Sequence, residues 1–292
     1  LAAVSFGGTV FVIMFLFLTG FSMAITPLVG ESHAQGKIHT ISGYLPNSLL
    51  LFTIIGILAT LFQFAIIPLL YYLGQPFEVV EASLPYYKYL VWSIIPYMVF
   101  CTFKQFWEGL GNTTINMVII ITANVINIFL NWLLIFGNWG FPRMEAAGAG
   151  LATLVSRICM VVFAYTWFVI APQYRLYLKS FNKQSISWAY HRALLKLGLP
   201  MSIQTMTEGA ATTITAIMVG WFGTTAIAAH QITMTVSSLA FMFAMGLGSA
   251  TTICISHEYG LKEQSRLKKT ATASLQLMLG WIIIAASALT LF

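Results

Sequence analysis

The stretch MSIQTMTEGAATTITAIMVGWF, residues 201–222, decides the class of this protein, because it is long and apolar enough to form a helix across a bilayer. Its single charged residue is Glu208. At a rise of about 1.5 Å per residue, Glu208 lies about 18 Å beyond Lys196, near the middle of a hydrocarbon core about 30 Å thick. A charge at that depth is costly unless it faces water, a cation or a proton pathway. Glu208 is therefore the first candidate functional residue.

The rest of the chain has the same character. Of its 292 residues, 59% are hydrophobic and 8% are charged, against roughly 25% charged in a soluble domain. We therefore predict an all-α polytopic membrane protein with eight transmembrane helices. The predicted spans are residues 2–29, 46–74, 85–107, 115–137, 147–171, 196–222, 227–256 and 270–292.

Basic residues are concentrated on one side of the predicted bundle. Eleven of the fourteen Lys and Arg residues fall in alternate connections, and the longest of these is the polar loop 172–195. The positive-inside rule makes that side cytoplasmic. The net charge of +6 thus indicates membrane topology rather than binding to nucleic acid.

An internal repeat relates the first span to the seventh. Spans six apart cross the membrane in the same direction, so the repeat predicts two six-helix lobes related by an axis along the membrane normal. We expect an N-terminal lobe at 1–171 lacking its first helix, an inter-lobe loop at 172–195, and a C-terminal lobe at 196–292 lacking its last three helices. A shift of 226 residues produces the identical pairs Ala2/Ala228, Ala3/Ala229, Thr9/Thr235, Val10/Val236, Phe15/Phe241, Phe17/Phe243, Gly20/Gly246, Ala24/Ala250 and Thr26/Thr252, and continues through Ser48/Ser274 and Leu49/Leu275.

Polar residues form a stripe around Glu208. Gln204 precedes it by four residues and Thr212 follows it by four, with Thr205 close to the same face. Residues four apart share a helix face, so this stripe faces protein or water rather than lipid. Glu208 either binds a proton or Na⁺, or forms a hydrogen bond that packs helices.

A second polar stripe lies on the fourth span, where Asn124, Asn127 and Asn131 share a face, and Thr153 on the fifth span could join them. Asparagine amides coordinate cations, bind substrates or tie helices together, and spacing does not choose among these. Arg157 is an accessory candidate that could snorkel, pair with an acid or hold helices together. His230, at the start of the seventh span, is either an ordinary interfacial residue or part of a proton-linked site.

Four segments resemble the multidrug and toxic compound extrusion (MATE) transporters, especially their bacterial NorM-like branch. They are NIFLNWLLIFGNWGFPRMEAAGAGLATLVSR at 127–157, EGLGNT at 108–113, LGLP at 197–200 ahead of Glu208, and AIAAHQ at 226–231. Their order and spacing carry the resemblance over essentially the whole chain. The chain would then cover about helices two to nine of twelve.

The resemblance implies an antiporter that exports cationic, amphipathic compounds in exchange for Na⁺ or H⁺, with no cofactor beyond that ion. Glu208 would be the cation-site acid of the C-terminal lobe and a Na⁺ ligand if Na⁺ is the coupling ion. Asn127, Asn131 and Thr153 would line the N-terminal cavity. The expected setting is the bacterial inner membrane, with a monomer contacting lipid and small-molecule substrates.

Two other functions are less well supported. A related lipid-linked oligosaccharide flippase is expected to carry several basic residues in its cavity, whereas Arg157 is the one candidate here. An intramembrane enzyme is disfavoured because the eight acids are all Glu, and no HExxH motif or Ser/His/Asp constellation is present. The three cysteines are scattered and have no metal-binding or disulfide spacing.

Overall fold

The computed structural model describes residues 2–72, 77–178 and 186–291. Within these ranges the chain is helical and contains no strand, which confirms the predicted fold class. The helices are α1 Ala2–Ser22, α2 Ile25–Ala34, α3 Ile38–Ala65, α4 Phe77–Trp92, α5 Ile94–Gly109, α6 Thr114–Phe136, α7 Glu145–Ile170, α8 Pro172–Leu178, α9 Trp188–Gly220, α10 Thr224–Gly260 and α11 Gln264–Leu291, with 3-10 turns at Ile67–Tyr72 and Asn138–Gly140.

Six stretches of the described chain are long and apolar enough to cross a membrane: Val10–Ala34, Ile38–Ala65, Thr114–Phe136, Glu145–Ile170, Ala229–Gly260 and Gln264–Ala288. The other two predicted spans coincide with the pair α4 and α5 and with α9. The chain is therefore a multi-pass membrane protein, and the described part of each predicted span is mainly helical.

The predicted helix boundaries are less accurate. Helix α3 begins at Ile38 rather than at residue 46, and α9 begins at Trp188 rather than at residue 196. The predicted loop 172–195 contains all of α8 and the first turns of α9, while its residues 179–185 lie outside the described chain. Apolar runs mark the part of a helix inside the bilayer, whereas polar turns can continue the same helix into water. At the start of α9 the Ser187 hydroxyl accepts a hydrogen bond from the amide of Ala189, which caps the helix.

Proline breaks two of the spans. Pro27 and Pro96 have no amide hydrogen, so the carbonyl groups of Met23 and Trp92, four residues earlier, lose their helical donors. The helices are interrupted at these points, between α1 and α2 and between α4 and α5, where Ser93 separates the two segments. Pro200 lies inside α9, which continues through it.

The inner segments α2 and α5 are tied together. The Thr26 hydroxyl donates to Oε1 of Gln105 over 2.5 Å in a buried contact, and a Cβ placed on Gly109 would lie 2.7 Å from Cβ of Val29. Further along the chain, α10 approaches the same block, since Nε2 of His257 lies 2.8 Å from the Gly109 carbonyl oxygen. These contacts join α2, α5 and α10 at the ends predicted to be cytoplasmic.

Helix α9 crosses α1 at very short range. A Cβ on Gly20 would lie 2.6 Å from Oγ1 of Thr205 and 2.7 Å from the Met201 carbonyl oxygen, so only glycine fits there. One turn further along α9, Gly209 faces the side chain of Leu16. This crossing holds the middle of α9, including Glu208, beside α1. A buried aromatic core fills the space among α1, α3, α5 and α7. Its members are Phe21, Phe52, Phe100, Phe103, Phe106, Trp107 and Phe168.

Candidate functional site

Glu208 lies on the exposed face of α9. Nε2 of Gln204 donates to its Oε1 over 3.2 Å, as expected for residues one turn apart. Within the described residues, the structure records no ion pair for Glu208. The carboxylate thus keeps acceptor capacity for a proton, a cation or a donor outside the described chain.

The two threonines predicted to accompany Glu208 do not bond to it. Thr205 turns towards Gly20 on α1 and donates to the Met201 carbonyl, and Thr212 donates to the carbonyl of Gly209. Their hydroxyl hydrogens are therefore used within α9, while their oxygen lone pairs remain able to accept. His230 on α10 is partly buried, and its Nε2 has no hydrogen-bond partner among the described residues.

The asparagine stripe forms a hydrogen-bonded chain between α6 and α7. Nδ2 of Asn131 donates to Oδ1 of Asn127 over 3.0 Å. Nδ2 of Asn127 in turn lies 3.4 Å from Oγ of Ser156 on α7, which it can donate to. The Ser156 hydroxyl donates a hydrogen bond to the Thr153 carbonyl oxygen. Asn127 and Asn131 therefore act as one unit, and Thr153 joins them through its backbone, with its hydroxyl donating to Ala149.

Two further residues belong to the description of this stripe. Asn124 is exposed on α6, and no hydrogen bond is recorded for it within the described residues. Ser156 is buried and central, although the sequence analysis did not select it. Its position three residues after Thr153 was the available signal. Oδ1 of Asn131 is buried without a donor among the described residues, so its acceptor capacity is unmet there.

Arg157 occupies a third polar position, on α7. Its Nη1 donates to Oγ of Ser93 over 2.7 Å. The guanidinium carbon lies 4.9 Å from the ring centre of Phe15, 5.0 Å from that of Tyr97 and 5.7 Å from that of Phe11. Arg157 is thus held between α1, α5 and the break that follows α4, rather than extending to the membrane surface.

The recorded hydrogen bonds do not link the polar groups of α9 to those of α6 in the described chain. No hydrogen bond is recorded in the described chain between Glu208 and any of Asn127, Asn131 or Thr153. There are therefore two candidate binding regions, one on α9 and one between α6 and α7.

We expect Asn127→Leu to lower the melting temperature of the full-length protein by a few degrees. The substitution removes the acceptor for Asn131 and the donor facing Ser156, and such interhelical bonds contribute about 0.6–2 kcal/mol each in membranes. Asn124→Leu is the matched control on the same helix, because Asn124 is exposed. Thermal unfolding of both variants in detergent tests this, and an equal effect of the two would show that the network does not stabilise the bundle.

The sequence profile of the MatE family matches residues 1–133 and 200–292. The chain belongs to the MatE family. The matched segments include Asn127, Asn131 and Glu208, whereas Thr153, Ser156 and Arg157 fall between them. The resemblance seen in the sequence is thus confirmed, and α7 is the part of the candidate site outside the matched segments.

Curated relatives of this MatE chain carry the name NorM. It is 26% identical over 295 residues to "Probable multidrug resistance protein NorM" of Rhizobium meliloti strain 1021, with 100% of the chain and 62% of the relative covered. It is 27% identical over 289 residues to "Multidrug resistance protein NorM" of Vibrio cholerae, with 96% and 61% covered. The chain spans less than two thirds of the length of these relatives.

Solved structures show the same fold. The outward-facing conformation of a multidrug resistance MATE family transporter of the MOP superfamily superposes with a TM-score of 0.86 at 20% identity, over 100% of this chain and 64% of that one. A eukaryotic MATE transporter superposes with a TM-score of 0.83 at 14% identity, over 98% and 64%. At this level of identity the likeness establishes the MATE fold.

Proposed function

We propose that the full-length protein is a cation-coupled antiporter that exports cationic, amphipathic compounds. The relatives named multidrug resistance proteins support the substrate class. The observation that carries the ion coupling is Glu208, a carboxylate in the middle of a long membrane helix whose recorded partner is the neutral amide of Gln204. An acid retained at that depth is favoured when it exchanges a proton or a cation.

Coupling follows from competition at Glu208. A single carboxylate neutralises either the incoming Na⁺ or H⁺ or the positive charge of the substrate, so binding of one lowers the affinity for the other. Linkage makes this effect reciprocal. Export then requires that ion binding and substrate binding favour opposite orientations of the two predicted lobes, 1–171 and 196–292, which rock against each other across the membrane.

The second region would bind the organic part of the substrate. Oδ1 of Asn131, which has no donor among the described residues, would accept a hydrogen bond from a polar group of the substrate, and Asn127 holds Asn131 in place. We further propose a monomer in the bacterial inner membrane, with the basic connections in the cytoplasm. No cofactor is required, because the ion gradient supplies the free energy.

Accumulation of a fluorescent cationic dye tests this function. Cells expressing the full-length gene should retain less dye than cells with an empty vector, and dissipating the coupling gradient should abolish the difference. If Na⁺ is the ion, removing Na⁺ from the medium should abolish export, whereas a proton-coupled protein should respond to an uncoupler. Equal dye retention with and without the gene, or export that is unaffected by either treatment, would refute the proposal.

A further inference from the structure

Arg157 lies about 18 Å along α7 from the start of the helix at Glu145, so its charge is near the middle of the bilayer. A guanidinium group there requires compensation. The faces of Phe15 and Tyr97 supply part of it through cation–π contacts at 4.9 and 5.0 Å. The Ser93 hydroxyl supplies one hydrogen bond.

This compensation is incomplete. A guanidinium carries five N–H donors, and the bond to Ser93 is the one hydrogen bond recorded for it in the described chain. The ion pairs of the described residues join Lys104 to Glu108, Arg143 to Glu145 and Arg266 to Glu263, and none involves Arg157. The titratable side chains near Arg157 are Tyr97, Cys101 and Tyr86, and no carboxylate of the described residues is among them.

The Arg157 side chain is held in one position but remains partly accessible. Arg157 retains partial exposure, while Ser93, which holds it, is fully buried. The hydroxyl of Ser93 donates to the Leu90 carbonyl over 2.6 Å, so its lone pairs are oriented towards the guanidinium. An arginine placed in this way keeps a planar pair of donors in one orientation, which matches the two oxygens of a carboxylate.

We propose that Arg157 is a binding point for one carboxylate, contributed either by a transported compound that carries both a positive and a negative group or by a part of the full-length protein outside these residues. A singly charged group is favoured over phosphate because, in the described chain, Arg157 is a lone cation with aromatic neighbours. The transported-compound source rests on the proposed export function, whereas the internal source does not.

Binding to the purified full-length protein distinguishes the two sources. The probes are rhodamine 110, which carries a free carboxylate, and rhodamine 123, its methyl ester, followed by fluorescence anisotropy. For a transported carboxylate, we expect Arg157→Met to weaken binding of rhodamine 110 at least about tenfold relative to rhodamine 123. Arg157→Lys should have an intermediate effect, because it keeps the charge without the planar pair of donors. Arg143→Met, at an exposed ion pair with Glu145, is the control and should leave the ratio unchanged.

A carboxylate of the protein itself gives a different result. Without the cation of Arg157, a carboxyl group at that depth has a raised pKa and takes up a proton between pH 7 and pH 4, so the destabilisation caused by Arg157→Met is full at pH 7 and smaller at pH 4. The difference in melting temperature between wild type and Arg157→Met should then be larger at pH 7 than at pH 4. A purely structural cation–π role would not depend on pH, because arginine stays charged throughout.

The proposal is overturned if both measurements are negative. In that outcome, Arg157→Met and Arg157→Lys keep the wild-type ratio of affinities for the two dyes. The melting-temperature difference between wild type and Arg157→Met is also the same at both pH values. Neither measurement requires transport. A protein that fails to export cationic dye would therefore refute the proposed function while leaving this inference open to its own test.

Discussion

Glu208→Gln is expected to reduce ion-driven export by the full-length protein to background. Glutamine is nearly isosteric with glutamate, and its amide oxygen can still accept the hydrogen bond from Gln204, so α9 should fold as before. What is lost is the charge. Two unit charges 4 Å apart interact by about 4 kcal/mol at an effective dielectric constant of 20, which corresponds to a loss of about a thousandfold in cation affinity. Dye efflux driven by an imposed Na⁺ or proton gradient measures this directly.

A matched control is available on the same chain. Glu263 forms a surface ion pair with Arg266 over 2.7 Å and is largely exposed, so Glu263→Gln should change export by less than about twofold. Expression and melting temperature of both variants should match the wild type. Full ion-driven export by Glu208→Gln would remove Glu208 from the coupling site.

The substitution Gly30→Val is expected to reduce export at least tenfold by a different route. A Cβ on Gly30 would lie 2.1 Å from Oγ and 3.0 Å from Cβ of Ser256 on α10. The two helices would have to separate to accommodate it. Because α2 and α10 belong to different predicted lobes and meet at their predicted cytoplasmic ends, the variant should be unable to close this side of the transporter.

Thiol labelling separates such a block from misfolding. In a background lacking Cys101, Cys159 and Cys254, the thiol introduced by Ser256→Cys should react slowly, since Ser256 is 5% exposed, and should react faster when Gly30→Val is added. Gly246→Val on α10 is the control, because a Cβ there meets nothing within 4 Å in the described chain. Unchanged labelling together with unchanged export would show that α2 and α10 need not be in contact.

The sequence was sufficient to predict the fold class and the proximity of Asn127 to Asn131. Apolar length predicts a membrane helix without knowledge of its neighbours, and residues three or four apart on one helix must share a face, so Asn127 and Asn131 could be paired in advance. Asn124 fits the same pattern, yet it is exposed. Helical periodicity identifies a face but does not say which part of that face is covered.

The contacts of Arg157 could not have been predicted. Its hydroxyl partner, Ser93, is 64 residues away in the chain, and the rings of Phe15 and Tyr97 come from two other helices. These neighbours are determined by the crossing of three helices, which hydropathy does not encode. Ser156 was not selected either: its spacing from Thr153 places it near the same face of α7, but its partner on α6 is known only from the structure.

The breaks at Pro27 and Pro96 divide two parallel spans into outer and inner pieces, and the bond between Thr26 and Gln105 joins the two inner pieces into one short block. Such a block would pivot about a few backbone dihedrals at Met23, Ala24 and Ser93, and it would carry the aromatic residues of α5 with it. Ser93 is one of these pivots and also the residue that holds Arg157. Tilting the inner block would therefore move the hydroxyl that holds the guanidinium group, which would couple the end predicted to be cytoplasmic to the middle of the bundle.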